Sequence, residues 1–170
     1  MRLNAQLFAR GTKVAAASAS GYEAALGYQD DLPNGESWRL VKAKTAITAP
    51  AKKLLRFVVT AGAISWSVAP TSTAGDLQVA GVGDPDLSGD VAAGDLLWVQ
   101  RRGEPEIKSV TGLAAGEVVT SVTTTAGSVG ELALNAATGA VVNQMRGIGI
   151  ALSAHSTTTS TAKVRLTNIH

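Results

Sequence analysis

The sequence predicts a mainly β protein: a single small β-sandwich or barrel-like domain with an extended N-terminal arm. One reason is a repeat. Ala92-Ala93-Gly94-Asp95-Leu96-Leu97-Trp98-Val99 and Ala114-Ala115-Gly116-Glu117-Val118-Val119-Thr120-Ser121 share a small-residue bend, an acid and an apolar strand. Glycine supplies the strained angles of a tight turn, and the β-branched or aromatic residues that follow suit a half-buried pleated surface. A second reason is composition: 18 glycines, 45% hydrophobic residues but only 4% aromatic, and 16% charged. Such a core is packed from small and branched side chains, as in an all-β shell. The third is alternation without sustained helical periodicity, as where Val164 and Leu166 alternate with Arg165 and Thr167.

Residues 1–36 read as an N-terminal arm or leader rich in Ala, Ser and Gly, and residues 29–36 carry a strong turn signal. Val14 to Ser20 has alanines enough for a helix but no apolar stripe to dock one, so a helix and an extended arm ordered by a neighbour both stand. The leader is expected to serve assembly and to be dispensable for folding. Residues 37–170 form the β-rich body. Its strands are expected at Trp38 to Ile47, Lys53 to Thr60, Ile64 to Val68, Asp76 to Val82 and Asp95 to Arg101. Further ones follow at Pro105 to Thr111, Glu117 to Thr123, Glu131 to Leu134, Ala140 to Leu152 and Thr161 to Ile169. Pro50 separates the first two, and Gly103 reads as a hairpin bend. In Gly147 to Leu152 the isoleucines and leucine face one side, and the bare glycine and alanine side is expected to lie close to other backbone.

At 170 residues and 17.3 kDa the chain suits one domain around one core. It has no cysteine, so neither a disulfide framework nor a thiolate metal site is available. The longest apolar run, Leu54 to Ala69, is interrupted by Arg56 and falls short of the roughly 20 residues needed to cross a bilayer. No membrane partner is expected. Arg10, Gly11 and Lys13 break up any apolar core of a secretory signal.

The formal net charge of +2 is too small for a typical nucleic-acid-binding domain, and no direct nucleic-acid binding is expected. The charges are segregated: Arg39, Lys42, Lys44, Lys52, Lys53 and Arg56 fall in a span without acids, and Asp76, Asp84, Asp86, Asp90 and Asp95 in a span without bases. Two readings stand, solvated faces or complementary contact between neighbouring copies. The candidate subunit or shell contacts are Arg39, Lys42, Lys44, Lys52, Lys53, Trp98, Arg101 and Arg102. Trp98 enters because tryptophan is enriched at interface hot spots and its strand runs out through Gln100, Arg101 and Arg102.

Catalytic constellations do not stand out, and the chain is not expected to be an enzyme or to hold a cofactor. Asp84-Pro85-Asp86-Leu87-Ser88-Gly89-Asp90 followed by Asp95 matches the ligand spacing of a calcium loop. Pro85, the terminal Asp and the turn-and-strand context favour a bend instead. His155 sits between serines with no third group to orient it, and is read as a loop residue. Asp30-Asp31 and Glu104 with Glu106 are read as solvated acids in turns, and Gly81-Val82-Gly83 lacks the third glycine and helix of a phosphate loop.

The order of segments resembles the capsid decoration (cement) proteins of tailed bacteriophages. The likeness covers Trp38 to Ala43 with Ile47-Thr48-Ala49-Pro50, then Ala92 to Gln100 with Gly103, and Gly147 to Leu152 with Val164-Arg165-Leu166. It implies a small β-rich protein, often a homotrimer, made in the host cytoplasm. Such a protein binds the major capsid protein on the virion exterior, clamps neighbouring shell subunits, and has no catalytic residues. A carbohydrate-binding or adhesive β module of a cell surface or viral fibre is the alternative.

Overall fold

The apolar runs marked as strands become eleven strands among the described residues. These are β1 (Gln29–Asp31), β2 (Ser37–Ala43), β3 (Leu54–Thr60), β4 (Ala63–Pro70), β5 (Val79–Gly83), β6 (Leu96–Arg102), β7 (Glu106–Lys108), β8 (Val118–Ser121), β9 (Val129–Glu131), β10 (Gly149–Ala151) and β11 (Thr161–Leu166). A computed structural model of the chain describes residues 7–60, 63–72, 78–122, 125–132, 147–156 and 161–167. The parts of the expected strands at 76–77, 123, 133–134, 140–146 and 168–169 lie outside them, as do Asp76 and His170.

The fold class is mainly β, as the composition and bends predict. Strands β2, β4, β3, β5 and β6 pair in that order, and β2 also pairs with β6, so the ring closes into a five-stranded barrel. Only the β2–β4 pair is parallel. Every wall strand contributes to the interior: Val41 and Ala43, Leu55 and Phe57, Val68, Ala80, and Leu97 with Val99 form one buried cluster. Closure removes the exposed sheet edges that invite aggregation. A second sheet, ordered β7-β11-β10-β8-β9, lies beside the barrel, and a bridge from Ser109 to Val129 draws its edges together.

The single expected core is resolved into three. A second cluster joins Leu54, Val79 and Val82 of the barrel to Ile107, Val119, Val129, Val164 and Leu166 of the second sheet. The third sits on the opposite barrel face, where Trp38, Leu40, Leu96 and Trp98 point outward. Period-two alternation produces this division, because neighbours such as Leu96 and Leu97 must face opposite sides of the wall. Apolar side chains fill both barrel faces, so each face needs its own cover.

Gly103 differs from its reading as a hairpin bend. It has φ of 107°, yet β6 and β7 do not pair; the glycine marks the crossing from barrel to second sheet. The bare side of β10 lies close to other backbone, as its sequence predicts. Gly149 and Ala151 face inward and Ile150 is left 38% exposed. A β-carbon at Gly149 would overlap the Arg165 carbonyl oxygen, so close backbone approach explains the glycine but puts the dry face on the small residues.

The repeated bend proves to be a repeated structure. Gly94 and Gly116 have φ of 90° and 88°. Each glycine N–H donates to a strand carbonyl, Ala43 or Ala151, at 2.8 Å, and the same residues donate back to Asp95 or Glu117 at 2.8 and 2.9 Å. Four residues beyond each strand contact the chain pairs again, Ile47 with Val91 and His155 with Leu113. The acid closes the turn, Asp95 accepting from the Ala92 N–H at 2.9 Å and Glu117 from the Ala114 N–H at 2.6 Å. Because the Glu117 contact is solvent-exposed, Glu117→Ala is expected to cost about 1 kcal/mol or less in urea denaturation. A much larger loss would mean that this second corner is as structural as the first.

Candidate functional site

The leader has partners within its own chain. Leu7, Phe8, Val14, Tyr22, Leu26 and Leu32 pack onto the outward cluster of Trp38, Leu40, Leu96 and Trp98. Residues 7–15 run as a strap, a 3-10 helix follows at Ala16–Ala25, and β1 then pairs with β2. The scattered large residues show no helical stripe, yet they meet a surface that alternation on β2 and β6 has prepared. Val14 pairs with Leu96 through two backbone bonds of 3.1 and 2.9 Å.

Two buried acids pin this strap. Asp84 accepts from the Gly11 N–H at 2.7 Å and from the Asp86 N–H at 3.0 Å. Asp95 accepts from the Ala16 N–H at 2.9 Å and pairs with the Lys13 ammonium at 3.4 Å. Lys13 also donates to the Asp90 carbonyl, and the Asp90 carboxylate accepts from the Ala49 N–H. Burial pushes the Asp95 carboxyl up, but the N–H donors of Ala92 and Ala16 together with Lys13 reverse this and hold it below the ordinary value. The loop with calcium-like spacing therefore turns its end acids toward backbone N–H groups. Among the described residues no group of three acids or histidines is placed to hold a metal ion.

The expected contact residues do not form one patch. Lys42 pairs with Glu23 at 3.0 Å and Lys52 with Glu106 at 2.6 Å. Lys53 donates to the Thr48 carbonyl, and burial, followed by Lys108, lowers its pKa. Lys44 is exposed elsewhere, beyond the end of β2. Trp98 is only 4% exposed, its indole N–H donating to the Phe8 carbonyl at 3.1 Å, so a contact through it requires the strap to move. His155 is buried in its backbone bridge to Leu113.

Arg39 and Arg101 do come together. Neighbouring strands carry them to the barrel end where β2 begins and β6 finishes, on the side that Val41 and Val99 fill further in. Gln29 of β1 links them: its Oε1 accepts from Arg39 Nη2 at 3.0 Å and from Arg101 Nη1 at 2.6 Å. The amide is oriented by its other end, which donates to both Asp31 oxygens at 2.9 and 3.0 Å. The neighbouring Ser37 hydroxyl and the Gln29 amide hold the Asp31 carboxyl below its ordinary value. Burial lowers the Arg39 guanidinium to about 10, Arg101 adds to this and Asp31 opposes it, so Arg39 stays charged at neutral pH. Burial, then Arg102, also lowers Arg101. Arg102 itself is exposed next door.

Trp66 completes this end. The Arg39 guanidinium lies 5.0 Å from its ring centroid, Phe57 meets it edge-on, and the ring rests on Gly27, where a β-carbon would overlap it. Trp66 remains 38% exposed, with Val59 at 40% on the same hairpin and Tyr28 at 44% beside Gly27. Sequence reasoning missed Trp66, Tyr28 and Gln29. The serines on both sides of Trp66 are the one signal of an exposed strand position, whereas Gln29 lies in a turn-like run whose pairing with β2 is a tertiary outcome. On another side, a cleft of about 600 Å3 is lined by Arg10, Trp38, Asp84, Glu104 and Glu106 among others; Asp84 holds the strap, Glu104 pairs with Arg165 and Glu106 with Lys52.

The fold and this surface define a mainly β protein with an arginine and aromatic cluster at one barrel end. No protein-family model matches the chain, and no curated protein matches it. Among solved structures it is similar to the head fiber gp8.5 N base in bacteriophage phi29, at 12% identity and a TM-score of 0.47, over 79% of this chain and 96% of that one. Among the described residues, no helix is long and apolar enough to cross a membrane.

Proposed function

We propose that the chain is a structural protein of a tailed-phage virion. It binds the outer surface of the icosahedral head as a homotrimer and clamps neighbouring major capsid subunits, with no catalysis and no nucleic-acid contact. The observation that carries this reading is the barrel end, where exposed Trp66 stands beside Arg39, and Gln29 links Arg39 to Arg101. Tryptophan, tyrosine and arginine are the residue types that dominate protein interfaces, since they combine large apolar area with directed hydrogen bonding. The resemblance in segment order to cement proteins supports the same reading. A protein that binds the assembled shell and not its separated subunits stabilises the shell by mass action, and three linked copies let each contact be weak.

A second reading, a carbohydrate-binding or adhesive module, is favoured by a groove of about 410 Å3 lined by Phe8, Tyr28 and Trp98 with Arg10 and Asp30. A density gradient of lysate from the native source separates the two. Co-migration with DNA-filled heads at a fixed ratio to the major shell protein is the expected result. Recovery only in the soluble fraction would favour the adhesive module.

A further inference from the structure

The barrel end carries a recognition chemistry that can be stated more closely. Arg39 has a neutral amide oxygen and an indole face as partners, and its Nε is buried without a hydrogen bond. It forms no ion pair among the described residues. A desolvated cation of this kind gains most from an acceptor that brings charge and two oxygens, because a guanidinium fork meets a carboxylate with two parallel bonds. Asp31 does not fill this role, since its oxygens take the Gln29 amide. Gln29 instead holds both guanidinium groups on one oxygen, so an incoming anion meets two positive groups already in place. Preorganisation of this sort reduces the ordering cost of binding.

We infer that Arg39 and Arg101, with the Trp66 ring beside Arg39, form a seat for a carboxylate side chain presented by a protein partner. The apolar ring selects an acidic residue on a protein surface over a nucleic-acid backbone. The exposed Trp66 ring offers area for burial beside the charge, and the chain's small net charge gives little long-range attraction for a polyanion. The inference rests on the proposed function for the identity of the partner, a shell subunit, but not for the seat itself.

The test uses the full chain. In nitrogen-15 spectra of the arginine Nε–H groups, sodium acetate is expected to shift the Arg39 signal saturably, with sodium chloride at equal ionic strength having no such effect. Arg39→Gln is expected to weaken binding to heads stripped of this protein by about tenfold or more, as loss of an interface hot spot does. Arg39→Lys, which keeps the charge and loses the fork, is expected to rescue only in part. Unchanged circular dichroism and urea midpoint keep both variants interpretable; where Arg39→Gln unfolds, Arg39→Lys and the acetate titration decide. Equal head binding by wild type and Arg39→Gln overturns the seat and leaves the shell reading standing. An acetate-dependent shift in a protein that never binds heads supports the seat and overturns the shell reading. A response to phosphate or duplex DNA with acetate silent overturns the carboxylate seat in favour of nucleic acid.

Discussion

A chain lacking residues 1–30 is expected to lose cooperative unfolding and to bind a hydrophobic dye. The strap and 3-10 helix cover Trp38, Leu40, Leu96 and Trp98, all at most 5% exposed. Uncovering four large side chains costs on the order of 6 kcal/mol at about 1.5–3 kcal/mol each when fully exposed. That is comparable with the total stability of about 5–15 kcal/mol typical of a domain. The deletion also removes Gly11, Ala16 and the first part of β1, so Asp84 and Asp95 each lose one of their two N–H donors. From the sequence the leader looks dispensable for the body's fold, whereas in the structure it covers one barrel face, and the expected loss rests on that packing. Urea denaturation followed by near-ultraviolet circular dichroism checks it. An unchanged midpoint would return the segment to the status of a free arm.

Asp95→Ala is expected to lower stability by about 3 kcal/mol, against about 1 kcal/mol or less for Glu117→Ala at the equivalent corner. The buried Asp95 side chain accepts from Ala92 and Ala16 and pairs with Lys13. Its loss strands two backbone donors, each costing about 1–3 kcal/mol when buried and unsatisfied. In a protein of this length the melting temperature then falls by about 6–12 °C. The pH dependence follows from the direction of the shift. A carboxyl held below its ordinary value of 3.8 stabilises the fold above that value. The contribution is lost as pH falls through 3.8 toward the lower folded value, where native and unfolded chains are both protonated. Wild type should therefore lose more stability than Asp95→Ala over that window. Equal losses in the two proteins would remove Asp95 as the pin.

Much of the fold was legible because strand and turn chemistry is local. Glycine at Gly94 and Gly116 takes the positive φ that its bend requires, and the buried, exposed, buried pattern from Ala162 to Leu166 follows directly from the written alternation. The strand segments from Trp38 to Arg101 were found for the same reason. The candidate site was legible only in part. Arg39, Arg101 and Arg102 were named as contacts, but so were Lys42 and Lys52, which the structure pairs with Glu23 and Glu106. The sequence points to Trp98 as a contact residue, whereas in the structure Trp98 is 4% exposed and Trp66 is 38% exposed.

Short strands joined by glycine bends, small and branched side chains for the cores, and two copies of one acid-closed corner are all written in the local order of residues. Closure of the strands into a barrel beside a second sheet, the leader's cover over one wall, and the Gln29 link between Arg39 and Arg101 arise only when distant segments meet. The physical reason is range. Backbone angles and alternation are set by a residue and its immediate neighbours, whereas a charged side chain takes its partner from whichever strand lies beside it, and that neighbour is fixed only when the β2–β6 ring closes.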